Sequence, residues 1–199
     1  MKKKKSGFTL LEMVIVLALA VLVIAIVNFI FLTGSRVFTD TNVKSDLHIE
    51  GQNIQQEISN SLMGAVEIEE IQKADGEIID FKKSEDDVKK NSIMNTKVEI
   101  GYVIITVVEE NESGVAEKNN YKFRVDGNTL YSEKMGIHSE KVLTTNVGKE
   151  ESTNKPEFYI KVHDNSTEFY INLHKEKGQT DKNYPIKVDV LFRNKDFTS

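Results

Sequence analysis

The sequence predicts an α+β protein: one long N-terminal helix, apolar through its first half, whose second half packs on an antiparallel sheet. Three observations carry this. Residues 13–27 form an unbroken apolar run. From Val43 to Ala65 apolar residues recur at spacings of three and four, the period of one helix face. After Gly64 the period falls toward two, as in strands. Helix and strands are segregated along the chain, which separates this plan from alternating α/β architectures.

At 199 residues the chain has room for one modest core plus an accessory segment. It contains no cysteine, so disulfides, thiolate metal sites and thiol catalysis are excluded. The net charge of −5 hides an asymmetry: Lys2–Lys5 carry +4, and without them 22 basic side chains face 31 acidic ones. An acidic body argues against direct nucleic-acid binding, where basic charge supplies the affinity. The lysine cluster stands directly before the apolar run, the position of a cytoplasmic positive-inside anchor.

Phe8 to Leu32 is interrupted only by Thr9, Glu12 and Asn28. As a helix it is roughly 37 Å long, enough to cross a hydrocarbon core of about 30 Å. A cleaved secretory signal is one reading, since Ala18-Leu19-Ala20 matches its small-x-small site. Seven further apolar residues, Val21–Val27, stand where such a signal turns polar. A lipoprotein signal fails for want of a cysteine. A plain single-pass anchor accounts for length and flanking charge but not for Glu12, because an intramembrane carboxylate is costly and points to function. After Phe8, Glu12 comes one helical turn later on the same face.

The second helical half, residues 33–65, carries the stripe Val43, Leu47, Gly51, Ile54, Ile58, Leu62 and Ala65 between polar positions. A short coiled coil is the alternative use of that stripe. Asn28, Thr33 and Gly34 are candidate weak points, as are Gly51 and Gly64, at about 1 kcal/mol per glycine relative to alanine. Residues 66–199 are expected to form the β-rich domain. Val66–Ile68 and Glu77–Phe81 read as short strands around Asp75-Gly76. Residues 82–96 are charged and aperiodic and read as a loop. Lys97–Glu109 is the strongest strand signal. Tyr121–Val125 and Thr129–Tyr131 flank Asp126-Gly127-Asn128 as a hairpin. Phe158–Val162 and Phe169–Leu173 form a second hairpin, with His163–Thr167 as its turn. Residues 174–184 read as a polar loop. Ile186, Val188, Val190 and Phe192 give the last strand its inward face.

Catalytic and metal signatures are missing. His48, His138, His163 and His174 show no ligand spacing, and neither a nucleophile elbow nor a phosphate-binding glycine loop occurs. Asp164–Glu168 offers oxygens at alternate positions, but it falls short of a calcium loop and reads as a turn. The acidic pairs Glu69-Glu70, Asp86-Asp87 and Glu109-Glu110 read as solvated charge. No catalytic residue, metal site or cofactor is expected.

The string Ser6-Gly7-Phe8-Thr9-Leu10-Leu11-Glu12, after a lysine-rich leader and before an apolar run, resembles the prepilin leader of type IV pilins and of type II secretion and competence pseudopilins. The resemblance implies that a prepilin peptidase removes residues 1–7 by cutting between Gly7 and Phe8, and that Phe8 is then N-methylated. Glycine suits the cut because its bare backbone enters a narrow cleft. Glu12 is then expected to pair with the terminal amine of a neighbouring subunit, or with Phe8 of its own chain before assembly. Residues 8–32 become the transmembrane and filament-core helix. The domain is expected outside the cytoplasmic membrane, with the N-terminus inside. Partners implied are the peptidase, other pilin or pseudopilin subunits, a membrane platform protein and an assembly ATPase.

Many major pilins carry a proline about twenty residues into the mature helix. Here the only prolines are Pro156 and Pro185. That departure points to a minor pilin or pseudopilin. The order Val142-Leu143, Asn146-Val147, Pro156–Ile160 and Tyr184–Val188 is similar to the larger, J-type pseudopilins. The alternative is a membrane-anchored binding or adhesin module that does not polymerise; an exported enzyme finds no site in the sequence.

Overall fold

The computed structural model describes residues 9–111, 113–137 and 139–193. Leu10–Ser61 form one helix of 52 residues, α1, about 78 Å long. Neither Asn28 nor Gly34 interrupts it. Asn28 Nδ2 donates to the Ile24 carbonyl at 2.9 Å, and the hydroxyls of Thr39 and Thr41 donate to the carbonyls of Ser35 and Val37. Bonding back to the helix satisfies polar side chains that have apolar surroundings.

The two halves of α1 differ in exposure. Apolar side chains from Leu10 to Phe38 stand open, Phe29 at 71% and Phe38 at 68%. Burial begins at Val43 and continues through Leu47, Gly51, Ile54 and Ile58. These are the first five positions of the predicted stripe, and the chain's own sheet takes them up in place of a coiled-coil partner; Leu62 and Ala65 are buried too but lie past the end of the helix, which stops at Ser61 and not at residue 65, and Ala65 opens the first strand.

After α1 come β1 (Ala65–Lys73), β2 (Ile78–Asp80), a 3₁₀ turn (Ser84–Asp86) and a short helix α2 (Asp87–Ile93). Then follow β3 (Lys97–Glu110), β4 (Ala116–Asp126), β5 (Thr129–Lys134) and β6 (Ser139–Thr144). The last three are β7 (Phe158–Val162), β8 (Ser166–Lys177) and β9 (Thr180–Leu191). The strands join in the order β6-β5-β4-β3-β7-β8-β9, with β1 on β3 and β2 on β1. Every ladder between them is antiparallel. The long β3 organises the sheet: Lys97–Glu99 pair with β7, while higher residues pair with β1 and β4.

Both ends of that strand order return to α1. Lys141 of β6 meets Glu57 at 2.9 Å, and Lys182 of β9 meets Asp40 at 2.9 Å. The sheet is therefore curled, with the second half of α1 between its edge strands. The helix exit presses on β3: a Cβ at Gly64 would lie 2.2 Å from the Val108 carbonyl oxygen, so only glycine fits. The Val108 amide donates to the Gly64 carbonyl at 2.9 Å. Phe123, Phe158 and Phe169 fill the centre, with ring centroids 5.9 and 6.3 Å from Phe169.

Four further expectations are corrected. Residues 174–184 are not a loop: β8 and β9 run on to a reversal at Gly178-Gln179, with Gly178 at φ 65°. Backbone pairing through His174–Asn183 and Lys175–Lys182 carries the strands where no apolar period exists. Residues 82–96 contain α2, whose lone buried side chain, Ile93, is too little to show a period. The second hairpin turns more tightly than His163–Thr167, since β8 begins at Ser166. Phe192 follows the end of β9 and is only half-buried, its amide donating to the Asn165 carbonyl at 2.9 Å. Pro185 sits inside β9, which pairs on one side only, a position where a proline is tolerated.

Candidate functional site

Lys2–Lys5, Gly7 and Phe8 lie outside the described residues. The site is visible from Thr9 onward. Thr9 is extended (φ −79°, ψ 152°) and caps α1. Its hydroxyl accepts from the Glu12 amide at 3.3 Å, and its own amide donates to Glu12 Oε2 at 3.2 Å. The Thr9 hydroxyl also lies 3.3 Å from that carboxylate oxygen. This reciprocal capping box satisfies two amides that a helix start leaves open, and it places a negative charge at the positive end of the helix dipole. The T-x-x-E spacing is the sequence signal for it, and Thr9 is the site residue that hydropathy and charge alone overlook.

Glu12 is the sole ionisable side chain from Leu10 to Ser35. Its neighbours Leu10, Leu11 and Met13 are 84%, 69% and 54% exposed. By length and composition α1 can cross a membrane, and none of its most apolar stretch is buried within the chain. Among the described residues, Thr9 is the polar partner that the Glu12 carboxylate has. In a low-dielectric setting a carboxylate held by a hydroxyl and one amide still attracts an ammonium group strongly.

The domain contains polar networks but, among the described residues, no group of three or more acidic or histidine side chains arranged to hold a metal ion. His48 Nδ1 lies 2.7 Å from the Tyr184 hydroxyl, His163 Nδ1 lies 2.6 Å from Asn95 Oδ1, and His174 Nε2 lies 2.7 Å from Asp181. Each is thus committed to a different structural contact; His138 lies outside the described residues. Asp164 and Asn165 form an exposed bend. Glu168 does not join them, because Tyr170 and Lys187 hold its carboxylate.

The acidic pairs are only partly solvated, against expectation. Glu70 accepts from the Tyr102 hydroxyl, and Glu69 from Asn120 and from Lys82. Burial and the bond to Glu70 push the Tyr102 phenol up to about 12. Burial works against ionisation of Glu109, but bonds from Lys134 and Tyr121 outweigh it and hold the carboxyl below its ordinary value. Cross-strand tyrosines and lysines create these partners, and no local sequence feature announces them.

A family model described as the prokaryotic N-terminal methylation motif matches residues 2–28. No curated protein and no solved structure matches the chain. The match supports a prepilin-type N-terminus of the type IV pilin-like kind, and it ends within the exposed half of α1. The fold described above, a long apolar N-terminal helix laid on an antiparallel sheet, fits a pilin-like layout.

Proposed function

We propose that this protein is a minor pilin or pseudopilin, a structural subunit of a type IV pilus-like filament and not an enzyme. The observation that carries the reading is Glu12: a lone carboxylate, one turn into an exposed apolar helix, inside the matched methylation motif. Peptidase cleavage between Gly7 and Phe8 creates an ammonium group beside that helix start. Methylation of Phe8 keeps the amine charged. Assembly then pairs the amine of one subunit with Glu12 of another, while the open apolar half of α1 exchanges lipid for neighbouring helices.

The unbroken α1 supports the minor-subunit form, since it has no proline to kink it. The domain faces the extracytoplasmic side, and the peptidase, other subunits, a platform protein and an assembly ATPase are the partners. Mass spectrometry of the mature N-terminus is the test. A terminus at N-methylated Phe8 is expected. An intact Met1 or a start at Val21 overturns the reading and leaves an anchored binding module or a cleaved secretory signal.

A further inference from the structure

Three contacts set the height of β9 along α1. Gln55 Nε2 donates to the Lys187 carbonyl at 3.0 Å, His48 meets Tyr184, and Lys182 meets Asp40. Lower strand numbers go with lower helix numbers. From Gln55 to Asp40 the helix rises about 22 Å, and from Lys187 to Lys182 the strand spans about 17 Å. The strand thus runs nearly along the helix axis, toward the apolar half. The reversal at Gly178-Gln179 is about 10–13 Å further on, which is about seven or eight residues of helical rise. That brings the turn level with residues 32 and 33 of α1, about one helical turn below Arg36.

The membrane boundary falls at the same height. Leu10 to Leu32 covers about 34 Å, against a hydrocarbon core of about 30 Å. Beyond Leu32 come exposed Arg36, Val37 and Phe38. On the hairpin, Lys175 and Lys182 are neutralised by Asp46 and Asp40, and Asp181 is held by His174. Arg36 and Lys177 have no ion pair among the described residues, and Glu176 is the acid that opposes them on the turn. Leaving histidine out of the count, five positive side chains (Arg36, Lys44, Lys175, Lys177 and Lys182) face four negative ones (Asp40, Asp46, Glu176 and Asp181), a surplus of one positive charge, and the exposed Val37 and Phe38 stand beside them on the helix.

We propose that the turn between β8 and β9 rests on the bilayer, with Lys177 and Arg36 taking the phosphate of glycerophospholipid headgroups and Phe38 seated in the interfacial layer. This rests on the membrane-spanning reading of α1. Cations and aromatics at this depth are favourable for physical reasons: headgroup phosphates attract the first, and the amphipathic boundary suits the second. The contact fixes the height of the domain and limits the tilt that an over-long apolar helix otherwise adopts. Extraction of the subunit from the membrane has to break it.

The absence of cysteine makes the test direct. The full chain is labelled with an environment-sensitive dye at Gln179→Cys, Phe29→Cys or Asp164→Cys and reconstituted in phosphatidylcholine/phosphatidylglycerol vesicles. Quenching by nitroxide-headgroup lipid is expected to be several-fold greater at residue 179 than at residue 164. In the Arg36→Gln, Lys177→Gln background it is expected to fall toward the level at residue 164. Acyl-chain nitroxide reports at residue 29 whether the helix is inserted. Equal quenching at 179 and 164 by the headgroup nitroxide, with residue 29 strongly quenched by the acyl-chain nitroxide, overturns the contact while sparing the anchor. Absence of acyl-chain quenching at residue 29 overturns the anchor and the contact with it. Quenching at 179 that disappears as the protein is diluted in lipid assigns the turn to a second copy of the chain and also overturns the proposal.

Discussion

The Tyr184 ring lies so close over Gly51 that a Cβ added there would stand 2.6 Å from Tyr184 Cε1. The ring cannot readily yield, because His48 holds its hydroxyl at 2.7 Å and packs edge-on against it, with centroids 5.5 Å apart. Ile186 Cδ1 closes the other side at 3.3 Å. The helix approaches β9 through this gap.

Gly51→Ala therefore tests helix propensity against packing. Alanine gains about 1 kcal/mol inside a helix, while overpacking costs about 1–3 kcal/mol. The clash is expected to win, lowering stability by about 1 kcal/mol. Thermal unfolding in detergent checks the sign. Gly34→Ala meets nothing within 4 Å and should leave the midpoint unlowered. Replacing Tyr184 with leucine should reduce the cost of Gly51→Ala; strict additivity of the two changes contradicts the steric account.

Glu50 ties the helix to the end of β6. Its carboxylate accepts from the Thr144 hydroxyl and from Asn146 Nδ2, the latter at 2.9 and 3.0 Å. Thr144 is 4% exposed, so losing this acceptor leaves a nearly dry hydroxyl that still accepts from the Asn146 amide at 2.9 Å but has no acceptor for its own proton. Glu50→Ala is expected to cost about 1–3 kcal/mol. Chemical denaturation measures it, with helical content retained. A change within experimental error shows that the latch carries no stability.

Stability should also fall in acid through Glu168. Bonds from Tyr170 and Lys187 lower its carboxyl from 4.5 to about 2. A carboxyl depressed on folding stabilises the native state fully above its ordinary value, and that contribution is lost as pH falls through the folded value. The window thus runs from about 4.5 down to about 2. Glu168→Gln should be less stable than the parent at neutral pH, and the gap should close across this window. Denaturation midpoints at several pH values decide it. A gap independent of pH assigns the loss to packing.

Much of this was legible because local periods coincide with long-range packing. Val43, Leu47, Ile54 and Ile58 mark one helix face and are buried. Ile186, Val188 and Val190 alternate and are buried as well. The far ends of β8 and β9 were not legible, because pairing and contacts with Asp40 and Asp46 hold them rather than apolar burial. The same is true of Glu69, Glu70 and Glu109, whose partners come from other strands. At the N-terminus the motif marked Glu12 from sequence, while its bond to Thr9 became visible only with the helix start in place.

That bond makes Glu12 separable into two roles. Glutamine at this position can keep a capping-box contact with Thr9 but carries no charge; alanine loses both. If helix capping is what matters, Glu12→Gln should incorporate into filaments like the parent and only Glu12→Ala should fail. If charge matching to a neighbouring amine is what matters, both variants should fail alike, while cleavage after Gly7 proceeds in each. The membrane-spanning reading of α1 puts Glu12 in a low-dielectric setting and so favours the second outcome, because a full charge there has more to gain from an ammonium than from a hydroxyl and an amide. The measurement is the filament-to-membrane ratio of N-terminally processed subunit. A processed Glu12→Gln protein that assembles normally removes charge pairing from the mechanism and leaves the carboxylate as a helix cap.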